Sequence, residues 1–204
     1  LKLQKSSQRQ VNSHSHSACF ISLIQELLFD TICIYLSKGW CVPVMVLFVT
    51  ALMPEAAPLI EYFKLKKDMD INAYAVYRNS DIALIVSGVG KLKSAAALAY
   101  LCALYKVKES DIVINIGFCG SGSRKYTPGT LLVINKITDM DTGKDYYPDV
   151  LFGRDLPKGS LCCYSKAVRK EDIIQEIDVF CDMESAGFIE TAKKFVYAHN
   201  IVVL

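Results

Sequence analysis

Asp111-Ile-Val-Ile-Asn-Ile-Gly-Phe-Cys-Gly-Ser-Gly122 is the stretch on which the fold turns. Its apolar, β-branched start predicts a strand over 111–116, and the glycines after Ile116 predict a tight turn at the strand end. A strand apolar at almost every position is buried on both faces, which is the habit of a parallel sheet. Val46-Leu-Phe-Val-Thr-Ala-Leu52 has the same character and runs into a Pro-Glu loop. Between these two runs the pattern predicts a helix at about 55–64, strands near 72–78 and 81–87, and an Ala- and Leu-rich helix at about 92–105 that follows Gly90; a further strand is expected at 130–137. Strands alternating with helices, with glycine turns at strand ends, predict an α/β protein: a three-layer α/β/α sandwich with a mixed central sheet and ligand loops along one edge.

Beyond that frame, residues 139–160 are polar and contain Gly and Pro, so they are expected to form a surface loop over a site. A helix is expected over 182–198, with Met183, Ala186, Ile189, Ala192, Phe195 and Val196 along one face and Asp182 available as its cap. Asn200-Ile-Val-Val-Leu204 reads as a strand cut off in mid-run, so the chain is expected to be incomplete at this end. Residues 1–44 differ from the rest. A Ser-, Gln- and His-rich opening leads into an apolar segment interrupted by Gln25, Glu26, Asp30 and Lys38, and Met45 is a possible natural start. The domain is therefore expected to span 45–204. The preceding residues read as non-native or disordered sequence, with a peripheral membrane helix around Phe20 to Leu36 as the alternative.

Composition narrows the functional classes. The 204 residues carry 23 basic and 21 acidic side chains, a net charge of +2, and 52% hydrophobic residues. That balance suits one globular domain and gives no electrostatic reason for a nucleic-acid partner. No run approaches the roughly 18–20 apolar residues of a membrane span. The eight cysteines form no C-x-x-C pair and no zinc spacing with histidine, and are expected to be reduced, buried thiols in a cytoplasmic protein. Only His14, His16 and His199 are present, so any acid or base work falls to carboxylates. No metal or cofactor is expected.

Four short blocks carry the candidate chemistry. Ser87-Gly-Val-Gly-Lys91 links a strand to a helix, where backbone amides can approach an anion or a hydroxyl-rich ligand. It lacks the spacing of a P-loop, and taken alone it reads equally as a tight turn. The turn at Gly117 could let a planar ligand lie against bare backbone. Glu55 stands where a carboxylate could activate water, or where a first-turn glutamate simply favours the helix dipole. Asp182-Met-Glu-Ser-Ala-Gly187 offers two carboxylates to vicinal hydroxyls and a thioether to a sugar face; alone it is an ordinary acidic first turn.

Together, Phe48-Val-Thr-Ala-Leu-Met-Pro-Glu55-Ala, Ser87-Gly-Val-Gly-Lys91, Ile114-Asn-Ile-Gly-Phe-Cys-Gly120 and Asp182-Met-Glu-Ser-Ala-Gly187 resemble the purine nucleoside phosphorylase and uridine phosphorylase superfamily. The likeness runs from about Met45 to Leu204 and is nearest to methylthioadenosine/S-adenosylhomocysteine nucleosidase. It implies hydrolysis of the N-glycosidic bond of a purine nucleoside by a cytoplasmic homodimer with no cofactor. It makes Glu55 the water-activating base and Ser87 a residue near the nucleophile. Gly88, Gly117, Asp182, Met183 and Glu184 become substrate-binding, with Glu184 on the 2′- and 3′-hydroxyls. Asp182 stands where these nucleosidases usually carry Glu. The family also continues past the last strand to an aspartate that protonates the purine, a segment this sequence does not reach. A phosphorylase needs cations for phosphate, and no Arg lies between Met45 and Arg78, which favours hydrolysis. Futalosine hydrolysis and non-catalytic nucleoside binding stay open as alternatives.

Overall fold

The computed structural model describes residues 44–122, 125–151, 155–169 and 178–204. The expected extension over residues 1–44 lies outside them except for Val44, as do His14, His16, Cys19, Cys33 and Cys41. In chain order the elements are β1 (Val46–Thr50), α1 (Met53–Tyr62), β2 (Lys66–Lys67), β3 (Ala75–Arg78), β4 (Ile82–Val86), α2 (Lys91–Tyr105), β5 (Ile112–Asn115) and β6 (Gly120–Ser121). There follow β7 (Val133–Asp139), β8 (Lys144–Tyr146), β9 (Lys158–Cys163), β10 (Val179–Asp182), α3 (Ser185–Ala192), a 3-10 turn (Ala198–Asn200) and β11 (Ile201–Val203).

The apolar runs that predicted a doubly buried sheet do bury both faces, by alternation. Val46 and Phe48 of β1, Leu84 of β4, Ile112 and Ile114 of β5 and Val202 of β11 enter a core closed by Ala56 and Leu59 of α1. The residues between them, Leu47, Val49, Ala83, Ile85, Val113, Ile201 and Val203, enter the opposite core with Leu98 and Leu101 of α2 and Phe188 and Ile189 of α3. Each fully buried Leu, Ile or Phe contributes about 1.5–3 kcal/mol, so this two-sided pattern is the main force that fixes strand register.

The α/β class and the mixed strand directions are as the sequence indicates. The strands divide between two sheets, ordered β11-β5-β1-β4-β3-β2 and β6-β10-β9-β7-β8. In the first, β1 runs parallel to β4 and β5, and β5 to β11, while β2 and β3 form an antiparallel edge. In the second, β7, β9 and β10 are parallel, with β8 and β6 antiparallel at the margins. Ile134, Ile137, Leu161 and Phe180 of the second sheet join the core of α2 and α3, so helices and a sheet together cover that face.

Three expectations need correction. Residues 139–160 are not one loop, because Lys144–Tyr146 pairs back on β7 and Lys158 begins β9. Buried Tyr146 anchors that hairpin, a three-residue strand too short to show a period. The helix expected over 182–198 is shorter. Asp182 ends β10, and beyond Ala192 the chain tightens through Lys194 N–H to Thr191 O and Phe195 N–H to Ala192 O, i→i−3 bonds that close the helix while Phe195 and Val196 still reach the core. Among the described cysteines, Cys102, Cys162, Cys163 and Cys181 are buried, but Cys119, in the glycine turn after β5, is exposed. Burial pushes the Cys102 thiol up to about 12. No described helix is long and apolar enough to cross a membrane.

Candidate active site

Parallel strands place their C-terminal ends on one edge, and that topology gathers three of the four sequence blocks. Glu55 follows β1 in the first turn of α1, the Ser87 turn follows β4, and the Gly117 turn follows β5. The fourth block, Asp182-Met183-Glu184, leaves the end of β10. Glu55, Gly117, Asp182 and Glu184 line one small pocket together with Asn115, Phe118 and Leu204. Ser87, Gly88 and Met183 stand beside that pocket and are not among the residues of its wall.

Glu55 is buried and held by three backbone donors. Ala51 N–H and Leu52 N–H reach Oε2 at 2.9 and 2.8 Å, and Phe118 N–H reaches Oε1 at 3.1 Å. A carboxylate has about four acceptor positions, so roughly one is left for a water or a hydroxyl. The glycine at 117 has a definite purpose: a Cβ there would sit 3.2 Å from Glu55 Oε1. That turn makes room for the carboxylate, where the sequence suggested room for a planar ligand.

Glu184 reaches across from the second sheet. Its Oε1 accepts from Gly90 N–H at 2.7 Å and its Oε2 from Met183 N–H at 3.3 Å, which leaves about two acceptor positions free. Burial raises its carboxyl above the ordinary range, the Gly90 bond opposes that, and the charges of Asp182 and Glu55 add to it. Asp182 is employed differently. Its oxygens accept from Ser185 N–H at 2.6 Å, Ser185 Oγ at 2.7 Å, Glu184 N–H at 3.2 Å and the Cys163 thiol, so its acceptor positions are taken within the protein. Burial pushes its carboxyl up as well. These bonds tie Asp182, on the pocket wall, to the loop that carries Glu184 and to the first residue of α3.

Ser87 is buried, and its hydroxyl donates to backbone carbonyls, Gly88 O at 2.9 Å and Thr50 O at 3.2 Å. Gly88 adopts φ +83° and Gly90 φ +116°, conformations that L side chains rarely adopt, and they swing the Gly90 amide toward Glu184. Lys91, the first residue of α2, sends its ammonium to Asp139 at 2.6 Å, at the end of β7, and to Asp141 at 2.5 Å just after it. Burial works against that charge, but the two carboxylates outweigh it and hold Lys91 above the ordinary lysine range.

Asn115 and Gly90 were missed by sequence reasoning. Asn115 is buried and donates to Val49 O at 3.3 Å, and its signal was the one polar residue inside an apolar strand run. The Gly90 amide has no side-chain signature at all. Next to the small pocket, and sharing Glu55, Gly117, Phe118 and Cys119 with it, lies an apolar cavity of about 520 Å³ bounded by Pro54, Pro58, Tyr126, Leu131 and Phe180. Among the described residues, no group of three or more His, Cys, Asp or Glu could hold a metal ion. His199 stacks on Tyr197 at the 3-10 turn.

Comparison with known proteins agrees with this fold. The Streptococcus pneumoniae MTA/SAH nucleosidase, solved with 8-aminoadenine, superposes with a TM-score of 0.65 at 17% identity over 78% of this chain and 83% of its own. The Neisseria meningitidis 5′-methylthioadenosine/S-adenosylhomocysteine nucleosidase, solved with methylthio-immucillin-A, gives 0.63 at 18% over 78% and 83%. A futalosine hydrolase mutant of Helicobacter pylori gives 0.62 at 15% over 78% and 87%. At these identities the likeness is one of fold. No curated protein matches by sequence. The model of the phosphorylase superfamily matches residues 46–170, more than half of the sequence, and with the nucleosidase-like fold this establishes that the chain belongs to the phosphorylase superfamily.

Proposed function

We propose that the chain hydrolyses the N-glycosidic bond of a purine nucleoside such as methylthioadenosine or S-adenosylhomocysteine. One observation carries the reading: around a single pocket, Glu184 keeps about two acceptor positions free and Glu55 about one, the number needed for two vicinal hydroxyls and one water. The neighbours solved with an adenine derivative or a nucleoside analogue support the purine. In this reading Glu184 holds the 2′- and 3′-hydroxyls and Glu55 takes a proton from water. The water oxygen bonds to C1′ as the C1′–N bond breaks, its electron pair leaves with the base, and the base nitrogen takes up one proton. The transition state is oxocarbenium-like, so carboxylates close to the sugar stabilise it more than the neutral ground state.

Incubation with methylthioadenosine, S-adenosylhomocysteine, adenosine and inosine, each with and without phosphate, tests the proposal. Free base together with free sugar, at a rate independent of phosphate, is the expected result. Release that requires phosphate and yields a sugar 1-phosphate would move the assignment to phosphorolysis. That second reading has one observation in its favour: the Lys93 ammonium folds over the Ser87 turn, its Nζ 3.7 Å from the place a Cβ on Gly88 would occupy.

Glu184 also gives the reaction a pH signature. A hydroxyl clamp needs the ionised carboxylate, so binding is full above the Glu184 pKa and is lost as pH falls through it. Because burial raises that pKa, the loss is expected to begin at higher pH than for an exposed glutamate near about 4.3. Glu184→Gln is expected to weaken nucleoside binding about ten- to a hundredfold and to flatten this pH dependence, as titration calorimetry over pH 4–8 would read.

A further inference from the structure

Lys91 belongs to none of the groups that face the pocket, yet three parts of the molecule meet at it. Through its side chain it joins the second sheet: Nζ lies 2.6 Å from Asp139 and 2.5 Å from Asp141, and its side chain is only 14% exposed. Both partners are themselves fixed. Thr142 Oγ1 donates to Asp139 at 2.9 Å, the Asp141 amide returns to Asp139 at 3.2 Å, and Ser165 Oγ bonds Asp141. Through its backbone Lys91 meets α3, since a Cβ on Gly187 would fall 2.1 Å from Lys91 O. One residue earlier, Gly90 N–H makes the 2.7 Å bond to Glu184 Oε1.

We propose that Lys91 is a positioning residue: its two-carboxylate anchor fixes the first residue of α2, and so holds the Gly90 amide where it orients Glu184 toward a vicinal diol. The inference rests on the reading of Glu184 as the ribose clamp given above. The physical case is one of leverage. Gly88 and Gly90 flank a turn with positive φ at both glycines, which lacks the backbone stiffness of other residues and takes its orientation from what holds its ends. At one end is β4, and at the other is Lys91. The Lys91–Asp139 pair is largely shielded from solvent and is the geometrically restrictive one, Asp141 being half-exposed, whereas a neutral side chain of equal length would leave both carboxylates without their cation.

The test compares wild type, K91M and K91R on methylthioadenosine and its 3′-deoxy counterpart, with the Gly90 amide proton followed by NMR. Wild type is expected to prefer the diol. K91M should narrow that preference about tenfold, the equivalent of one degraded charge-assisted hydrogen bond, mainly through KM. It should also move the Gly90 amide proton upfield. K91R, which keeps the charge, should retain most of the preference. If K91M fails to fold, D141N, which neutralises only the outer carboxylate, should narrow the preference in the same direction by a smaller factor. A K91M enzyme that folds and discriminates as well as wild type, or an unmoved Gly90 resonance, overturns the positioning role while the clamp stands. A wild-type enzyme that binds nucleosides with no preference for the diol overturns the reading of Glu184, and the positioning role with it.

Discussion

Glu55→Gln is expected to lower kcat for nucleoside cleavage by about 10² to 10⁴-fold, the range typical for loss of a positioned general base. Glutamine preserves size but replaces one oxygen by an amide nitrogen, and that nitrogen cannot accept. Whichever way it turns, it faces a donor: Ala51 N–H and Leu52 N–H on one side, Phe118 N–H on the other. A second effect therefore follows, a stability loss of about 1–3 kcal/mol from a buried donor left without its acceptor. Steady-state base release, paired with thermal unfolding of the same sample, separates the two. A variant that stays folded with KM nearly unchanged and kcat collapsed supports Glu55 as the base. Turnover within threefold of wild type would mean that Glu55 serves only to tie the β1 and β5 turns together.

Gly187→Ala is expected to destabilise the fold. Helix propensity alone says that alanine should stabilise α3 by up to about 1 kcal/mol. Packing says the opposite. The new Cβ would lie 2.1 Å from Lys91 O, 2.7 Å from its carbonyl carbon and 2.9 Å from its Cα, all backbone atoms that cannot rotate away. The two helices would have to separate by roughly 1 Å, at an overpacking cost of about 3 kcal/mol that outweighs the propensity gain. The net loss of about 2 kcal/mol should appear in calorimetry as a Tm lowered by roughly 4–8 °C. The same separation would stretch the Gly90–Glu184 bond, so nucleoside affinity should fall with stability. A rise in Tm would show that α2 and α3 do not approach so closely.

Much of the site was legible before any coordinates, and the reason is local. Glu55 follows a strand and a Pro-Glu loop, so its place at a strand end can be read directly from periodicity. Its neighbour Gly117 was visible as a glycine turn, but its purpose was not, because Glu55 lies 62 positions earlier and the 3.2 Å approach exists only once β1 and β5 pair. Asp182 shows the opposite limit. Sequence offered it as a ligand for substrate, and only the placement of Ser185, Glu184 and Cys163 around it reveals a carboxylate already committed. The strand that delivers it, β10, passed unnoticed, since four residues pairing in parallel with β9 leave too short a pattern to recognise.

By itself, then, the sequence determined the α/β class and the strands β1, β4 and β5 whose ends carry three of the four candidate blocks, because apolar alternation and glycine turns act over a few residues at a time. Tertiary structure alone decided that the strands divide into two sheets, that Glu55 and Glu184 keep free acceptor positions while Asp182 does not, and that Lys91 bridges α2 to Asp139 and Asp141. Each of these depends on groups far apart in the chain, between which hydrogen bonds and ion pairs form only after burial of both faces of the first sheet has set their distance.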